Sequence, residues 1–246
     1  MSDASARNRS TFTTAEVVAS YAGLSDLTPC ERIIFDRNIP RGGDVLDLGV
    51  GTGRTTPFLA AIAGTYVGLD YAPSMLEEAR RLHPGMHFVL GDATDLSSFI
   101  DASFDAVVFS FNGIDYLHPD SARLRCLTEV RRVLRPGGVF VFSTHNPRAV
   151  LLRPREGRAL RRFGVGLYMT LRRVVRLLPT AAFRRGEGYV LDPVHGGLVT
   201  HVASQRYVIK ETAAAGFRHQ ESWGDDYPAR SGILWTRWWY YVFTRP

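Results

Sequence analysis

The sequence contains no apolar run long enough to cross a bilayer, and its first twenty residues lack the apolar segment of a signal peptide. Its two cysteines, Cys30 and Cys126, are too few and too distant for a disulfide framework or a Cys-x-x-Cys metal site. Lysine occurs once, at Lys210, so arginine supplies nearly all of the positive charge. These absences argue against secreted, membrane-spanning and metal-dependent classes. They predict a globular protein of the cytoplasm without a bound metal.

What the 246 residues do contain is an alternation of apolar strands with helices of ten to fifteen residues. The predicted strands are "DVLDLG", "TYVGLD", "MHFVLGD", "FDAVVFSF" and "GVFVFSTH", and helices are predicted over 54–63, 73–82 and 119–134. A helix at "RYVIKETAAAGF" precedes two strands, "FRHQESWGD" and "WTRWWYYVFTRP", whose short connection predicts antiparallel pairing. The pattern predicts an α/β fold with a doubly wound, mostly parallel sheet of seven strands.

The chain divides into four predicted parts. Residues 1–40 form a helical N-terminal cover, with helices at "TTAEVVASYAGL" and "TPCERIIFDRNI", and we expect the polar first ten residues to be frayed. Residues 41–146 form a Rossmann-like core, 147–206 a basic lid insertion, and 207–246 the C-terminal part of the core. Within the insertion, "GYVLDPVHGGLVTHVAS" predicts a hairpin that turns near His195-Gly196-Gly197.

A glycine-rich turn follows the first strand, in "DVLDLGVGTGRTTPFL". Such a turn between a strand and a helix is where open α/β sheets bind ligands. A P-loop fails because Leu48 and Arg54 stand where a glycine and a lysine are needed, and Arg54 also replaces the third glycine of the dinucleotide fingerprint. The remaining pattern is glycine at 49, 51 and 53, preceded by Asp47.

Four motifs in order resemble the class I S-adenosylmethionine-dependent methyltransferases: "VLDLGVGTG", "GLDYAPSML", "GDATDL" and "LRPGGVFVFST". The resemblance covers about residues 40–146 and, more loosely, the last forty residues. It implies a Rossmann-like methyltransferase fold with S-adenosylmethionine as the cofactor. The cofactor supplies an activated sulfonium methyl group, and the protein mainly has to position the acceptor.

The resemblance also implies a set of cofactor-binding residues. Gly51 and Gly53 would admit the methionine portion, and Asp47 would face its amino group. Asp70, 21 residues after Gly49, would hold the ribose hydroxyls. The full predicted set is Tyr21, Asp47, Gly49, Gly51, Gly53, Asp70, Tyr71, Met75, Asp92, Ala93 and Thr94. Within it, Asp92, Ala93 and Thr94 would meet the adenine edge, Tyr71 and Met75 its faces, and Tyr21 would fold over the cofactor.

Candidate catalytic residues follow the fourth and fifth strands. "SFNGIDYLH" supplies Asn112 and Asp115, and strand five ends at His145. The segment lacks the paired prolines of the Asn/Asp-Pro-Pro-Tyr motif of DNA methyltransferases, which argues against planar base nitrogens as substrates. A histidine at this place could accept a proton from a hydroxyl group near neutral pH. His145, Asp115 and Asn112 are therefore the predicted catalytic residues.

The net charge of +6 comes from one stretch: eleven arginines lie between Asn146 and Glu187 against a single acid, Glu156. On a helical wheel, residues 160–178 separate an apolar side from an arginine side. Three interpretations stay open: a lid helix with a solvated basic face, a site for an anionic substrate, or peripheral contact with anionic lipid. Nucleic acid is not an expected partner, because no recognised binding module accompanies the charge.

These observations predict methyl transfer from S-adenosylmethionine to a small molecule, at oxygen rather than at nitrogen or carbon. Two alternatives are a non-methylating reaction on the same fold, such as a cyclisation, and a binding module recruited to membranes. The sequence leaves the oligomeric state open.

Overall fold

The structure is a computed structural model that describes residues 3–147, 186–192, 198–229 and 236–246. Its strands are β1 (Asp44–Leu48), β2 (Thr65–Asp70), β3 (His87–Leu90), β4 (Phe104–Phe109), β5 (Leu134–His145), β6 (Glu187–Asp192), β7 (Leu198–Ala203), β8 (Arg218–Gly224) and β9 (Trp238–Thr244). Its helices are α1 (Asp3–Phe12), α2 (Ala15–Ala22), α3 (Pro29–Asn38), α4 (Thr56–Ile62), α5 (Pro73–Leu82), a 3-10 turn (Gly113–Tyr116), α6 (Asp120–Val133) and α7 (Gln205–Ala214).

Seven strands form one sheet in the order β3-β2-β1-β4-β5-β9-β8. The first five pair in parallel, and β9 lies antiparallel between β5 and β8. This confirms the predicted doubly wound α/β fold. Strand β5 begins earlier than expected, because Phe104 pairs with Leu134 before the register shifts at the "RPGG" turn. The winding direction reverses between β1 and β4, where sheets of this kind open a ligand crevice.

Both faces of the sheet are covered, which explains the nearly continuous apolar strands. Val45 and Val141 pack into the apolar cluster on one face, and Leu46 and Phe140 pack into the cluster on the other. The cores therefore hold the carboxyl ends of the central strands in fixed positions, and side chains following those ends are held close together.

Residues 3–10 are helical and not frayed, contrary to expectation, while residues 1 and 2 lie outside the described residues. Residues 3–10 belong to α1, and Asn8 on that helix is only 3% exposed. The Asn8 side chain bonds both backbone groups of Val199, donating to the oxygen at 2.9 Å and accepting from the nitrogen at 2.8 Å. It also donates to the backbone oxygen of Tyr116. The polar residues that suggested fraying instead form a helix that is held by hydrogen bonds from a side chain to the backbone.

Strands β6 and β7 form a separate antiparallel hairpin that contacts α1 and the 3-10 turn. The two strands match the predicted hairpin, while its turn, and the basic segment 160–178, lie outside the described residues. Within the described parts of the chain, no helix combines the length and apolarity that crossing a bilayer requires.

Candidate active site

A cavity of about 320 Å³ lies at the carboxyl ends of β1, β2 and β4, beneath α1. This volume is in the range of small-molecule sites. All but two of the predicted cofactor residues belong to its wall, namely Tyr21, Gly49, Gly51, Asp70, Tyr71, Met75, Asp92, Ala93 and Thr94. The exceptions are Asp47 and Gly53.

The three glycines of the turn all have positive φ, but they face different surroundings. A Cβ at Gly51 would have no heavy atom nearer than the Tyr21 ring at 4.0 Å, so this glycine is open towards the cavity. A Cβ at Gly53 would come within 2.4 Å of the His83 ring. The expectation that Gly53 clears space for the cofactor stays a prediction; in the structure its lack of a side chain accommodates the His83 ring at the end of α5.

Asp47 is also placed differently from the prediction. It is 1% exposed, and its Oδ2 accepts hydrogen bonds from the hydroxyls of Thr55 and Tyr66. Burial raises the pKa of Asp47 to about 6. The carboxyl group thus lies under the glycine turn and stabilises it from below, and it does not reach the cavity.

Asp70, by contrast, belongs to the cavity wall, although it is only 7% exposed. Its Oδ2 accepts from the backbone N–H of Gly51 at 2.8 Å, and its Oδ1 accepts from that of Ala72 at 2.9 Å. Burial raises the pKa of Asp70, and these N–H bonds counteract part of the rise. Each oxygen still has a second acceptor position, so two further hydroxyl groups can be bound.

Asp92 is fixed in a similar way, but an unpredicted residue reaches it. Its Oδ1 accepts from the backbone N–H and the hydroxyl of Thr94, at 2.9 and 2.8 Å. Its Oδ2 pairs with Nη2 of Arg9 at 3.1 Å, and the Arg9 guanidinium lies 4.7 Å from the centre of the Tyr71 ring. Nothing in the polar N-terminal sequence distinguishes Arg9 from its neighbours, so the prediction missed it.

Aromatic side chains line the other side of the cavity. Phe12 at the end of α1 packs edge-on against Tyr21 and Tyr116, with ring centres 6.1 and 5.2 Å apart. Tyr21 in turn lies 6.3 Å from Phe111. Phe12 and Phe111 were not predicted, because single aromatic residues in a sequence do not show which of them share a cavity.

A buried ion pair supports the glycine turn from outside the cavity. Arg54 bonds Glu31 on α3 with both terminal nitrogens, at 2.8 and 2.6 Å, and Glu31 is 0% exposed. Burial alone would raise the pKa of Glu31, but Arg54 and the hydroxyl of Ser110 hold it below its usual range. The Arg54 guanidinium also lies 4.5 Å from the centre of the Phe111 ring. The residue that rules out both nucleotide motifs is therefore a structural support of the turn.

The three predicted catalytic residues lie near one another, but none belongs to the cavity wall. Asn112 is 2% exposed, has φ of 64°, and donates its backbone N–H to Ser143. Asp115 is 1% exposed, and its Oδ2 accepts the backbone N–H of His145 at 2.7 Å and lies 2.8 Å from His145 Nδ1. A direct role for Asn112 or Asp115 on an acceptor is thus not supported by their burial, and Asp115 orients His145 instead.

His145 is the accessible member of this group, with 15% of its side chain exposed. Its ring centre lies 6.0 Å from that of Tyr116, which does line the cavity. The two histidines beside Asp115 keep its pKa low despite burial, so the carboxyl group is ionised and can only accept hydrogen bonds. His145 then donates its Nδ1–H to this carboxylate, and its Nε2 is the ring nitrogen on the other side.

Comparison with known proteins agrees with this geometry. Residues 45–138 match the family model described as "Methyltransferase domain". A "Probable S-adenosylmethionine-dependent methyltransferase" of Mycolicibacterium smegmatis is 34% identical over 187 residues, which cover 72% of this chain and 70% of the relative. The chain belongs to the S-adenosylmethionine-dependent methyltransferase family. The resemblance seen in the sequence is confirmed, and with it S-adenosylmethionine as the cofactor.

Other relatives of this methyltransferase match over shorter stretches. A demethylmenaquinone methyltransferase of Beutenbergia cavernae is 44% identical over 106 residues, and the match spans 42% of each chain, less than half of the relative's length. The crystal structure of an S-adenosylmethionine-dependent methyltransferase from Methanosarcina mazei superposes with a TM-score of 0.64 at 19% identity, covering 89% of this chain and 98% of that one. The latter shows that the fold is shared.

Proposed function

We propose that this methyltransferase binds S-adenosylmethionine in the cavity beneath α1 and transfers the methyl group to a hydroxyl oxygen of a small molecule. The observation that carries the proposal is Asp70, a buried carboxylate fixed by two backbone N–H groups and facing the cavity. A carboxylate in that state is suited to two vicinal ribose hydroxyls. Gly51 leaves the adjoining space open for the methionine portion.

The remaining wall residues fit the adenine ring. Asp92 offers a carboxylate oxygen to its amino group, and Tyr71 and Met75 offer apolar surfaces to its faces. When bound, the cofactor supplies a methyl group already activated for displacement. The protein then contributes position, which can be worth about 7–11 kcal/mol when the reacting atoms are held in line.

A hydroxyl acceptor must lose a proton during transfer, and His145 is the group proposed to take it. Asp115 holds its Nδ1, so Nε2 is the ring nitrogen that remains for the proton of the acceptor. General base catalysis of this kind contributes about 10²–10⁴-fold to the rate. The presence of such a base supports the proposal of methylation at oxygen.

The cavity wall also indicates the class of acceptor. Phe12, Phe111 and Tyr116 favour a flat apolar molecule, and one relative is named a demethylmenaquinone methyltransferase. The exposed Arg125 in the same wall suits an acceptor that carries a negative group. A further contribution from the basic segment 160–178, to substrate or to lipid, concerns residues outside the described ranges and remains a prediction.

Calorimetry with S-adenosylhomocysteine tests the binding site, and formation of that product with a panel of phenols, aliphatic alcohols and amines tests the reaction. We expect binding heat and turnover with a phenol or an alcohol. His145→Gln is expected to lose turnover about 10²-fold or more while binding S-adenosylhomocysteine normally. His219→Gln, on β8, is the matched control and keeps both. Absence of binding heat with folded protein overturns the proposal, and turnover with amines alone overturns the hydroxyl assignment.

A further inference from the structure

The hairpin β6–β7 brings a second histidine to Asp115. His201 on β7 is almost fully buried, with 2% of its side chain exposed, and its Nδ1 lies 3.7 Å from Asp115 Oδ1. That oxygen has no hydrogen-bond partner among the described residues, although the other oxygen, Oδ2, has two. Nδ1 of His201 is thus the ring nitrogen placed next to the unpaired oxygen of a buried carboxylate.

The far side of His201 meets another acid of the same hairpin. Its Nε2 lies 3.1 Å from Oε2 of Glu187 on β6. Glu187, His201, Asp115 and His145 therefore alternate in one continuous row from the hairpin to the end of β5. A row of acids and histidines in alternation keeps the buried charges paired.

Other polar groups also face this row. The Tyr189 ring of β6 and the Tyr207 ring of α7 lie 5.3 and 6.1 Å from the His201 ring. Asp120 of α6 interacts electrostatically with His201, and Tyr241 of β9 interacts electrostatically with Asp115. Of the groups that face the row, His201 and His145 are the two whose ring nitrogens approach the Asp115 carboxylate.

We propose that His201 is a positioning residue for His145, acting through Asp115. By holding Oδ1, His201 keeps the carboxylate ionised and turned so that Oδ2 fixes the proton of His145 on Nδ1. The effect on the reaction rests on the proposed role of His145 as the base, whereas the coupling between the two histidines does not. The β6–β7 hairpin then supplies His201, the residue that completes the positioning of His145, in addition to covering the site.

The physical argument concerns what happens when His201 is removed. Burial raises the pKa of a carboxyl group, and the two histidines oppose that rise at Asp115. Without His201, Oδ1 loses its neighbouring donor, and protonation of Asp115 becomes easier. The carboxyl group also loses the contact that sets its orientation, so Oδ2 holds Nδ1 of His145 less firmly.

The hydrogen bonds that hold the hairpin against α1 and α6 provide a second argument for the proposal. Val199, two residues before His201 on the same strand, is held by both ends of the Asn8 side chain. Tyr189 on β6 is tied to Asp120 and Arg123 of α6 through its hydroxyl group. These bonds fix the strand that carries His201 relative to the turn that carries Asp115.

Nuclear magnetic resonance on the ligand-free chain tests the coupling. Carbon-13 shifts of the Asp115 carboxyl report its protonation, and nitrogen-15 shifts of the His145 ring report which nitrogen carries the proton. In His201→Leu we expect about a tenfold larger protonated fraction of Asp115 at the same acidic pH, and a changed nitrogen-15 shift of His145 Nδ1 as its hydrogen bond to Asp115 weakens. His201→Asn keeps a donor towards Asp115 and is expected to restore both signals.

His219→Leu removes a half-buried histidine on β8 whose Nε2 lies 2.7 Å from the Ser222 hydroxyl, and serves as the matched control without effect. If folded His201→Leu shows wild-type signals, the proposal is overturned. If that variant does not fold, Glu187→Gln replaces it: weaker hold on His201 should change both signals in the same direction, and unchanged signals overturn the proposal. S-adenosylhomocysteine binding is measured separately, so that failure of this coupling can be distinguished from failure of the proposed function.

Discussion

The two ends of the site fix their carboxylates in opposite ways. In the cofactor half (the glycine turn, Asp70 and Asp92), each carboxylate is held by a backbone N–H two residues further along its own loop. In the acceptor half (Asp115, His145 and His201), one carboxylate is held by side chains from two other elements. The local bonds of the cofactor half form with the turn itself, and contacts from Gly51 and Arg9 add to them. The second arrangement exists only when β5 and the hairpin are both in place, so the acceptor half depends on tertiary structure.

The largest expected effect tests the support of the cofactor half. Arg54→Ala leaves Glu31 buried without its partner, and we expect a loss of about 3–5 kcal/mol in the free energy of unfolding, measured with urea. Arg41→Ala breaks the exposed pair with Asp36 and should leave the urea midpoint unchanged. Equal urea midpoints for the two variants would show that the buried Arg54–Glu31 pair does not stabilise the glycine turn.

The second prediction separates Asp47 from the acids that face the cavity. Its folded pKa of about 6 lies above the unfolded value of 3.8, so the folded state binds a proton more tightly. The wild type should therefore gain stability relative to Asp47→Asn as the pH falls from 8 to 4, by about 2–3 kcal/mol in total. Urea unfolding of both proteins across this range measures the difference. A difference that is flat with pH would contradict the raised pKa.

The third prediction tests the carboxylate that faces the cavity. Asp70→Ala removes the proposed partner of the ribose hydroxyls, and we expect S-adenosylhomocysteine to bind about 100-fold more weakly by calorimetry. Asp44→Ala, at the opposite end of the same strands, removes a carboxylate that pairs with Arg135 and should keep the affinity. Similar losses in both variants would indicate a general disturbance of the sheet.

The smallest expected effect on ligand affinity concerns helix α1, which covers the cavity. Arg9 occupies one oxygen of Asp92 through a half-exposed pair, with 43% of the Arg9 side chain exposed, and such pairs contribute about 0–1 kcal/mol. Because the adenine amino group needs the same carboxylate, Arg9→Ala should strengthen S-adenosylhomocysteine binding, by no more than about fivefold. Weaker binding in this variant would mean that Arg9 contacts the ligand itself.

The cofactor half was largely predictable from the sequence because its determinants are contiguous. A strand, a glycine turn and an acid at a fixed spacing placed Gly51 and Asp70 correctly in the wall of the cavity. The same reasoning did not show that Asp47 and Gly53 lie outside the cavity wall, since spacing along a turn does not show which side of the turn faces the ligand. Which side faces the ligand depends on the residues packed against the turn. Tyr66 bonds Asp47, and the His83 ring packs against Gly53.

The acceptor half was only partly predictable. Asp115 and His145 were found because each follows a strand end, but their mutual contact and the arrival of His201 depend on elements far apart in the chain. Helix α1 was missed for a related reason: hydrophobic periodicity detects helices that bury an apolar face, and this one is fixed by Asn8 and Arg9. Polar anchoring leaves no periodic signal.

The bond between Asn8 and Val199 has a practical consequence. A side-chain amide there satisfies the main-chain groups that a neighbouring strand would otherwise pair with, so one short helix shields the outer border of the hairpin at that point. Any polypeptide fused ahead of residue 3 would therefore emerge beside the mouth of the cavity. A purification tag at that end is not a neutral addition, and turnover numbers should be compared before and after its proteolytic removal.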